Sequence, residues 1–353
     1  MRRRLLYVIS AIALAGPLVL IAYADSTGAR PLCGKETGRS EALAARGSYA
    51  APIRVATFNV LHGLTDEGDA TLEARTAIQI NQLAASKVDV VGLQEASETA
   101  RHGRVVSRLA KGLAAKTGVS WYWCWFRSAP HAPGEPETRD GGGGPLSDEF
   151  AKHYNSHDAL WYEGPAVLSR YPIAASDAHR LPGEDRARLT EECAAELPDP
   201  SCALDVATEA RTAVWALIVT ARGSLSFTST HTSGNVAQHR ELVSWATEKT
   251  SGSKTAVIVC DCNSLEGWES TRSIRDAGWV DTYRAKRRDA GRTSDQQIRA
   301  AKETTKDRID YVFLRKGSKR TLADVRKFMN VPTRVGTGVL WPSDHLGVIA
   351  TLT

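Results

Sequence analysis

The 353-residue sequence contains no internal repeat, no Gly-x-Ser-x-Gly and no large excess of charge of one sign. The first absence excludes a solenoid or a propeller. The second removes the usual serine nucleophile of an α/β hydrolase. The net charge is +5, and three of those charges are Arg2, Arg3 and Arg4 in a segment, residues 1–24, that has no acid at all. Without that segment the chain carries +2, so charge alone does not argue for a nucleic-acid binder. With 42% hydrophobic and 24% charged residues the composition is that of a globular protein, not a disordered or collagen-like one.

The amino terminus has the grammar of export. Arg2 to Arg4 are followed by an uncharged, mostly apolar stretch, Leu5 to Ala24, and Ala22-Tyr23-Ala24 is a small-x-small cleavage signature. Residues 1–24 therefore predict a secretory signal cleaved after Ala24, or a membrane anchor if it is retained. The expected location is secreted. Residues 25–50 read as a polar linker, and residues 51–353 as one domain with surface insertions near 128–156 and 180–208.

Cysteines are few, six in all, and fit an oxidising compartment. Cys193 and Cys202 flank a Pro-rich loop and predict a short disulfide loop, and Cys33 and Cys124 are a second candidate pair. Cys260 and Cys262 share one face of a strand. With no Cys or His at zinc spacing nearby, they are expected as packed thiols or as halves of a disulfide made elsewhere.

Hydrophobic patterning predicts strands over Ile53 to Asn59, Val88 to Leu93, Trp121 to Phe126, Asp158 to Trp161, Ala166 to Ser169 and Ile173 to Ala175. Arg211 to Thr220 and Ser224 to His231 form a hairpin pattern, and Thr255 to Cys260, Ile309 to Leu314 and Leu346 to Leu352 are later strands. Helical spacing covers Thr71 to Ser86, Val105 to Lys116, Val236 to Lys249 and residues 266 to 277. Strands and helices mix without a regular βαβ rhythm, which favours an α+β sandwich.

Several apolar strands stop at a residue that chemistry can use: Asn59, Glu95 after Gln94, His231, Asp261 with Asn263 two residues on, Asp310, and Asp344-His345. Singly, each of these is an ordinary turn or surface residue. Together, carboxylates, amides and two histidines suit a hard, oxygen-ligated cation with acid/base groups beside it.

Taken in order, Thr57-Phe58-Asn59, Gln94-Glu95, the run Gly164 to Ile173, Thr230-His231, Asp261-Cys262-Asn263, Asp307 to Tyr311 and Ser343-Asp344-His345 resemble the endonuclease/exonuclease/phosphatase superfamily. The resemblance implies a four-layer α/β/β/α sandwich, deoxyribonuclease-like. It implies that Glu95, Asn59 and Asp344 belong to a Mg²⁺ site (Mn²⁺ being an alternative), that His345 with Asp310 activates or positions water, and that His231 faces the phosphate from the opposite side. Asp261 and Asn263 match the pair that contacts nucleophile and phosphate, with Glu163 as a partner for His231. The family pattern is Gly-Asp-Phe-Asn where this chain has Cys260-Asp261-Cys262-Asn263, so local packing must differ.

The implied activity is a secreted, Mg²⁺-dependent hydrolysis of phosphodiesters, nuclease-like on DNA or RNA, by a monomer. A lipid phosphodiesterase acting on sphingomyelin or phosphoinositides is an alternative, and a non-catalytic binding module on the same fold is a second. The basic residues Arg284, Lys286, Arg287, Arg288 and Arg292, with Lys316, Lys319 and Arg320, would serve a nucleic-acid groove, or simply form a solvated face. Trp121, Tyr122, Trp123, Trp125 and Phe126 would serve a membrane surface, or simply the core.

Overall fold

In a computed structural model the described residues are 30–41, 52–62, 66–99, 102–130, 161–182, 211–221, 223–250, 253 and 255–353. The signal segment, most of the linker, the two insertions and the predicted Cys193–Cys202 loop lie outside them. Among the described residues no helix is long and apolar enough to cross a membrane.

Two runs explain the centre of the fold. Ile53–Asn59 (β2) and Val90–Gln94 (β3) are almost entirely buried, as expected of strands covered on both faces. Along β2, Val55 packs toward a second sheet while Ala56 and Phe58 pack toward helices. The same alternation governs Thr255–Asp261 (β13): Val257 and Val259 face the first sheet, and Ile258 and Cys260 face helices. The layers are therefore helix, sheet, sheet, helix, which is the four-layer sandwich the resemblance implies.

The first sheet runs β1-β6-β9-β3-β2-β19-β16. Its other strands are Leu32–Glu36 (β1), Trp121–Trp125 (β6), Ala166–Ser169 (β9), Leu322–Phe328 (β16) and Gly347–Leu352 (β19). Asp66–Ser86 (α1) and Val105–Thr117 (α2) cover its outer face through Leu72, Leu83, Leu109 and Leu113. The second sheet runs β10-β11-β12-β13-β15-β14, with Ile173–Arg180 (β10), Thr212–Thr220 (β11), Gly223–His231 (β12), Trp279–Asp281 (β14) and Asp310–Arg315 (β15). Val236–Glu248 (α3) and Glu269–Asp276 (α4) cover it through Leu242, Trp245 and Ile274. Short strands Glu98–Thr99 (β4), Gly103–Arg104 (β5), Ala129–Pro130 (β7) and Trp161–Glu163 (β8) form a small sheet, Thr333–Val335 (β17) and Gly338–Leu340 (β18) a ribbon, and Thr282–Lys286 (α5) a single turn.

Three departures from the sequence reading have local causes. Within the predicted linker, Leu32–Glu36 is a strand on the edge of the first sheet, and Cys33 lies opposite Cys124 and is bonded to it. The strand is mostly exposed, so it shows no apolar alternation; the disulfide and the pairing hold it. Strand β16 is likewise an exposed edge whose pattern does not stand out. Cys260 and Cys262 are bonded to each other rather than free or paired elsewhere. β13 ends between them, and their Cα atoms lie 5.1 Å apart, inside disulfide range.

Candidate active site

Topology brings the polar strand ends to one edge. β2 and β3 are parallel, as are β12 and β13, so Asn59, Glu95, His231 and Asp261 all emerge at carboxyl ends on the same rim. β15 runs antiparallel to β13 with Asp310 opposite Asp261, so its first residue begins where β13 finishes. β19 is antiparallel to β2, so Asp344 and His345, just before it, arrive at that rim as well. Parity then turns the side chains inward: Asn59 follows Val55, His231 follows Phe227, Asp261 follows Val259 and Asp310 precedes Val312, all at even spacing on the inter-sheet face.

The rim is a connected network. Asn59 Nδ2 donates to Glu95 Oε1 at 2.7 Å and to Asp261 Oδ2 at 3.0 Å, while its Oδ1 accepts from the Leu61 amide at 3.0 Å. Asn59 thus bridges both carboxylates, and its Oδ1 keeps a second lone pair that a cation could use. Glu95 sits at φ 55° and also accepts from the His62 amide at 3.1 Å. Asp261 Oδ1 accepts from the Asn263 amide at 3.1 Å. His345 Nδ1 lies 3.0 Å from Asp310 Oδ2, the predicted pair. His231 Nε2 and His345 Nε2 stand 3.6 and 3.7 Å from the same Asp261 oxygen, so the two rings flank one carboxylate. Asn263 Nδ2 lies 3.0 Å from His231 Nε2 and donates to the Thr232 carbonyl at 2.9 Å. Glu163 groups with His62 and Glu95.

Burial and crowding set the charges. Burial raises the Glu95 pKa, but His62, His231 and the Asn59 hydrogen bond outweigh it and bring it down to about 2. Burial and then Asp310 push Asp261 up to about 7. Burial also raises Asp344, with Glu95 adding to the rise. His345 is held well above the ordinary histidine value: burial opposes this, and Asp310 and Asp261 overcome it. His231 goes the other way, because burial and then Arg211 disfavour its cation. One ring is kept charged and the other neutral, the arrangement that divides acid from base.

This donor set fits a hard divalent cation. Glu95, His231 and Asp261 offer ligand atoms within 4.8 Å of one another, and so do Asp261, Asp310 and His345. Asp310 Oδ1 is buried with no hydrogen-bond partner among the described residues, a cost that a cation or its water would relieve. The upward shifts of Asp261 and Asp344 come first from burial, with Asp310 and Glu95 respectively adding to them.

Sequence reading missed the residues behind the rim. Arg75 of α1 is fully buried; its Nη1 donates to the Val60 and Leu61 carbonyls at 2.7 Å each, fixing the turn that places His62 against Glu95. Gln79 Nε2 donates to the Val60 carbonyl at 3.0 Å and to the Pro342 carbonyl at 2.7 Å, tying that turn to the Asp344 loop. Thr71, Arg75 and Gln79 recur every four residues on α1, the signal that was there to find. Gly234, φ 78°, lets the loop after β12 lie on Asn263, whose carbonyl oxygen would be 2.3 Å from any Cβ there.

A profile of the endonuclease/exonuclease/phosphatase family matches residues 56–345. No curated protein matches the chain in sequence. Among solved structures, a family protein from Leptotrichia buccalis superposes with a TM-score of 0.58 at 18% identity, covering 85% of this chain and 99% of the other. A mannosyl-6-phosphatase from Bacteroides thetaiotaomicron gives 0.56 at 14%, covering 85% and 99%. The human nocturnin catalytic domain gives 0.52 at 17%, covering 86% and 93%. At these identities the likeness is one of fold.

Proposed function

The chain belongs to the endonuclease/exonuclease/phosphatase family, whose members are typically divalent-metal-dependent phosphoester hydrolases, and from that premise we propose that it is an exported, Mg²⁺-dependent phosphoesterase acting on a compact phosphodiester. The observation that carries this is the convergence of Glu95, Asp261, Asp310, Asp344 and both histidines on one rim.

Glu95 and Asp344 would hold the metal, which when bound neutralises charge on the phosphate oxygens. Asp261 takes the proton of an attacking water; Asn263 holds its carboxylate in place through the backbone amide. His345, hydrogen-bonded to Asp310, which favours its cation, offers a positive donor to the phosphoryl group or to the water it positions. Neutral His231 faces the same oxygen of Asp261 from the other side, so the proton that Asp261 takes from water can pass through it to the departing oxygen.

Compact substrates are favoured over polynucleotides by the surface. Arg284 is bound to Glu266 at 2.6 Å and the surface Arg287 to Asp324 at 2.8 Å, and Arg320 is buried, so three cations of the supposed basic groove are paired or covered, leaving Lys286, Arg288, Arg292, Lys316 and Lys319 exposed. The aromatics that would enter a membrane, Trp121, Trp123, Trp125 and Phe126, are core residues. The test is a panel of plasmid DNA, RNA, sphingomyelin vesicles, phosphoinositides and bis(4-nitrophenyl) phosphate, each with Mg²⁺, Mn²⁺ or EDTA. Mg²⁺-dependent release of nitrophenolate, lost in EDTA, with intact plasmid and RNA, is the expected result. No turnover of any phosphoester with either metal would leave the non-catalytic binding module as the better reading.

A further inference from the structure

Next to His345 the rim opens into a cavity of about 380 Å³, whose walls include Asn263, Trp268, Asp295, Asp307, Asp344 and His345. Three of these have no part in the chemistry above. Trp268 leaves 52% of its surface exposed, although it is firmly mounted: its amide donates to the Leu265 carbonyl at 3.0 Å and its carbonyl accepts from the Arg272 amide at 3.0 Å. A half-exposed indole on a held backbone, beside the rim, is a surface for a flat or ring-shaped partner.

Two acids on one braced loop, Asp295 and Asp307, line the same cavity. Asp295 is held at φ 64°, and its carbonyl accepts from Thr304 Oγ1 at 3.0 Å. The Asp307 carbonyl accepts from the Thr293 and Ser294 amides at 2.6 and 3.1 Å. The Gln296 amide donates to the Asp344 carbonyl at 2.8 Å, locking this loop to the rim. Both carboxylates are exposed, and neither meets a cation among the described residues. Each therefore retains acceptor capacity for several donors.

We propose that this cavity is a subsite for a hydroxylated ring, so that the substrate is a sugar or polyol phosphoester. The inference rests on the phosphoesterase reading and names its substrate class. A sugar or cyclitol presents C–H groups on one face, which lie on Trp268, and hydroxyl donors around its edge, which Asp295 and Asp307 accept. A further phosphate at this position would meet two uncompensated carboxylates, which disfavours polynucleotides and polyphosphorylated rings. A quaternary ammonium group would use the charge but leave the hydrogen-bonding capacity idle, and it meets one aromatic wall rather than a cage.

Three diesters with one leaving group test this on the full chain with Mg²⁺: the 4-nitrophenyl phosphates of a methyl hexoside (through its 6-hydroxyl), of choline and of methanol. The hexoside should lead the methyl diester by about 10-fold in kcat/KM, the size expected from one buried stacking face. Trp268→Ala, and Asp295→Asn combined with Asp307→Asn, should bring that ratio to about one through KM, with Trp268→Phe retaining part of it. A ratio unmoved by these variants, or choline leading, overturns the subsite while leaving the phosphoesterase reading intact. If none of the three is hydrolysed, that reading fails. Calorimetric titration with the methyl hexoside 6-phosphate then decides the subsite: binding weakened by Trp268→Ala upholds it, and binding that is absent or unchanged by the variant overturns it.

Discussion

Asp310, beside Asp261 on the rim, sets the tautomer and charge of the His345 ring. Replacing its carboxylate by an amide preserves the shape but can present an N–H where Nδ1 needs an acceptor. Asp310→Asn should therefore lower kcat by about 10²–10⁴-fold with little change in folding, read by steady-state kinetics beside a thermal melt. Unchanged turnover would remove the pair from the mechanism. Asp261 carries a signature in pH. Its carboxyl moves from 3.8 to about 7 on folding, so between those values the metal-free folded chain holds a proton that the unfolded chain has released. Its contribution to stability then falls as pH rises through that window and is level above it. Glu95, brought down from 4.5 to about 2, acts in the opposite sense: it stabilises above its unfolded range, and that contribution is lost as pH falls toward its folded value. In EDTA, Asp261→Asn should gain on the wild type in melting temperature from acidic pH up to neutrality, after which the gap stays constant. A gap independent of pH would contradict the shift.

At the level of elements, the strands that carry the site were legible because both their faces are buried. Val90–Gln94 and Thr255–Asp261 are short apolar runs that end in polar residues, and that abrupt change marks the rim. What the residues did not reveal lacks such a contrast: Leu32–Glu36 and Leu322–Phe328 are exposed edges whose burial comes from pairing partners far away in sequence. Arg75 and Gln79 were hidden for another reason, since a polar residue on a helix reads as solvent-facing until the loop it holds is known. Gly92 lies against the second sheet, where a Cβ would be 2.2 Å from Val259 Cγ2 and 2.7 Å from Ser229 Oγ. Beside it Gln94 Nε2 donates to Ser229 Oγ at 3.3 Å across the sheets. Gly92→Ala should cost about 1–3 kcal/mol in denaturant unfolding through overpacking, and it should also lower activity, because Glu95 and His231 lie just beyond on the two sheets. An unchanged unfolding midpoint would show that the sheets yield there.

For the whole molecule, the edge strand Leu32–Glu36 joins the described amino-terminal residues to the sandwich through Cys33–Cys124, a bond that closes 91 residues of sequence separation. Cys33→Ser should lower stability by about 2–4 kcal/mol and leave the rim's kinetics nearly intact, because the bond lies on an edge strand away from β2 and β13. Equal melting temperatures for the variant and the wild type would argue that the strand is held by pairing alone. The central claim concerns the rim itself: a divalent cation held at Glu95 makes this fold a phosphoester hydrolase. Its most direct test is the Mg²⁺ dependence of bis(4-nitrophenyl) phosphate hydrolysis by the wild type and Glu95→Gln. The variant should need at least about 10-fold more Mg²⁺ to reach half its maximal rate, since it loses a charged ligand worth more than about 1.4 kcal/mol, and high Mg²⁺ should restore part of that rate. An identical Mg²⁺ titration with an unchanged rate would contradict the account.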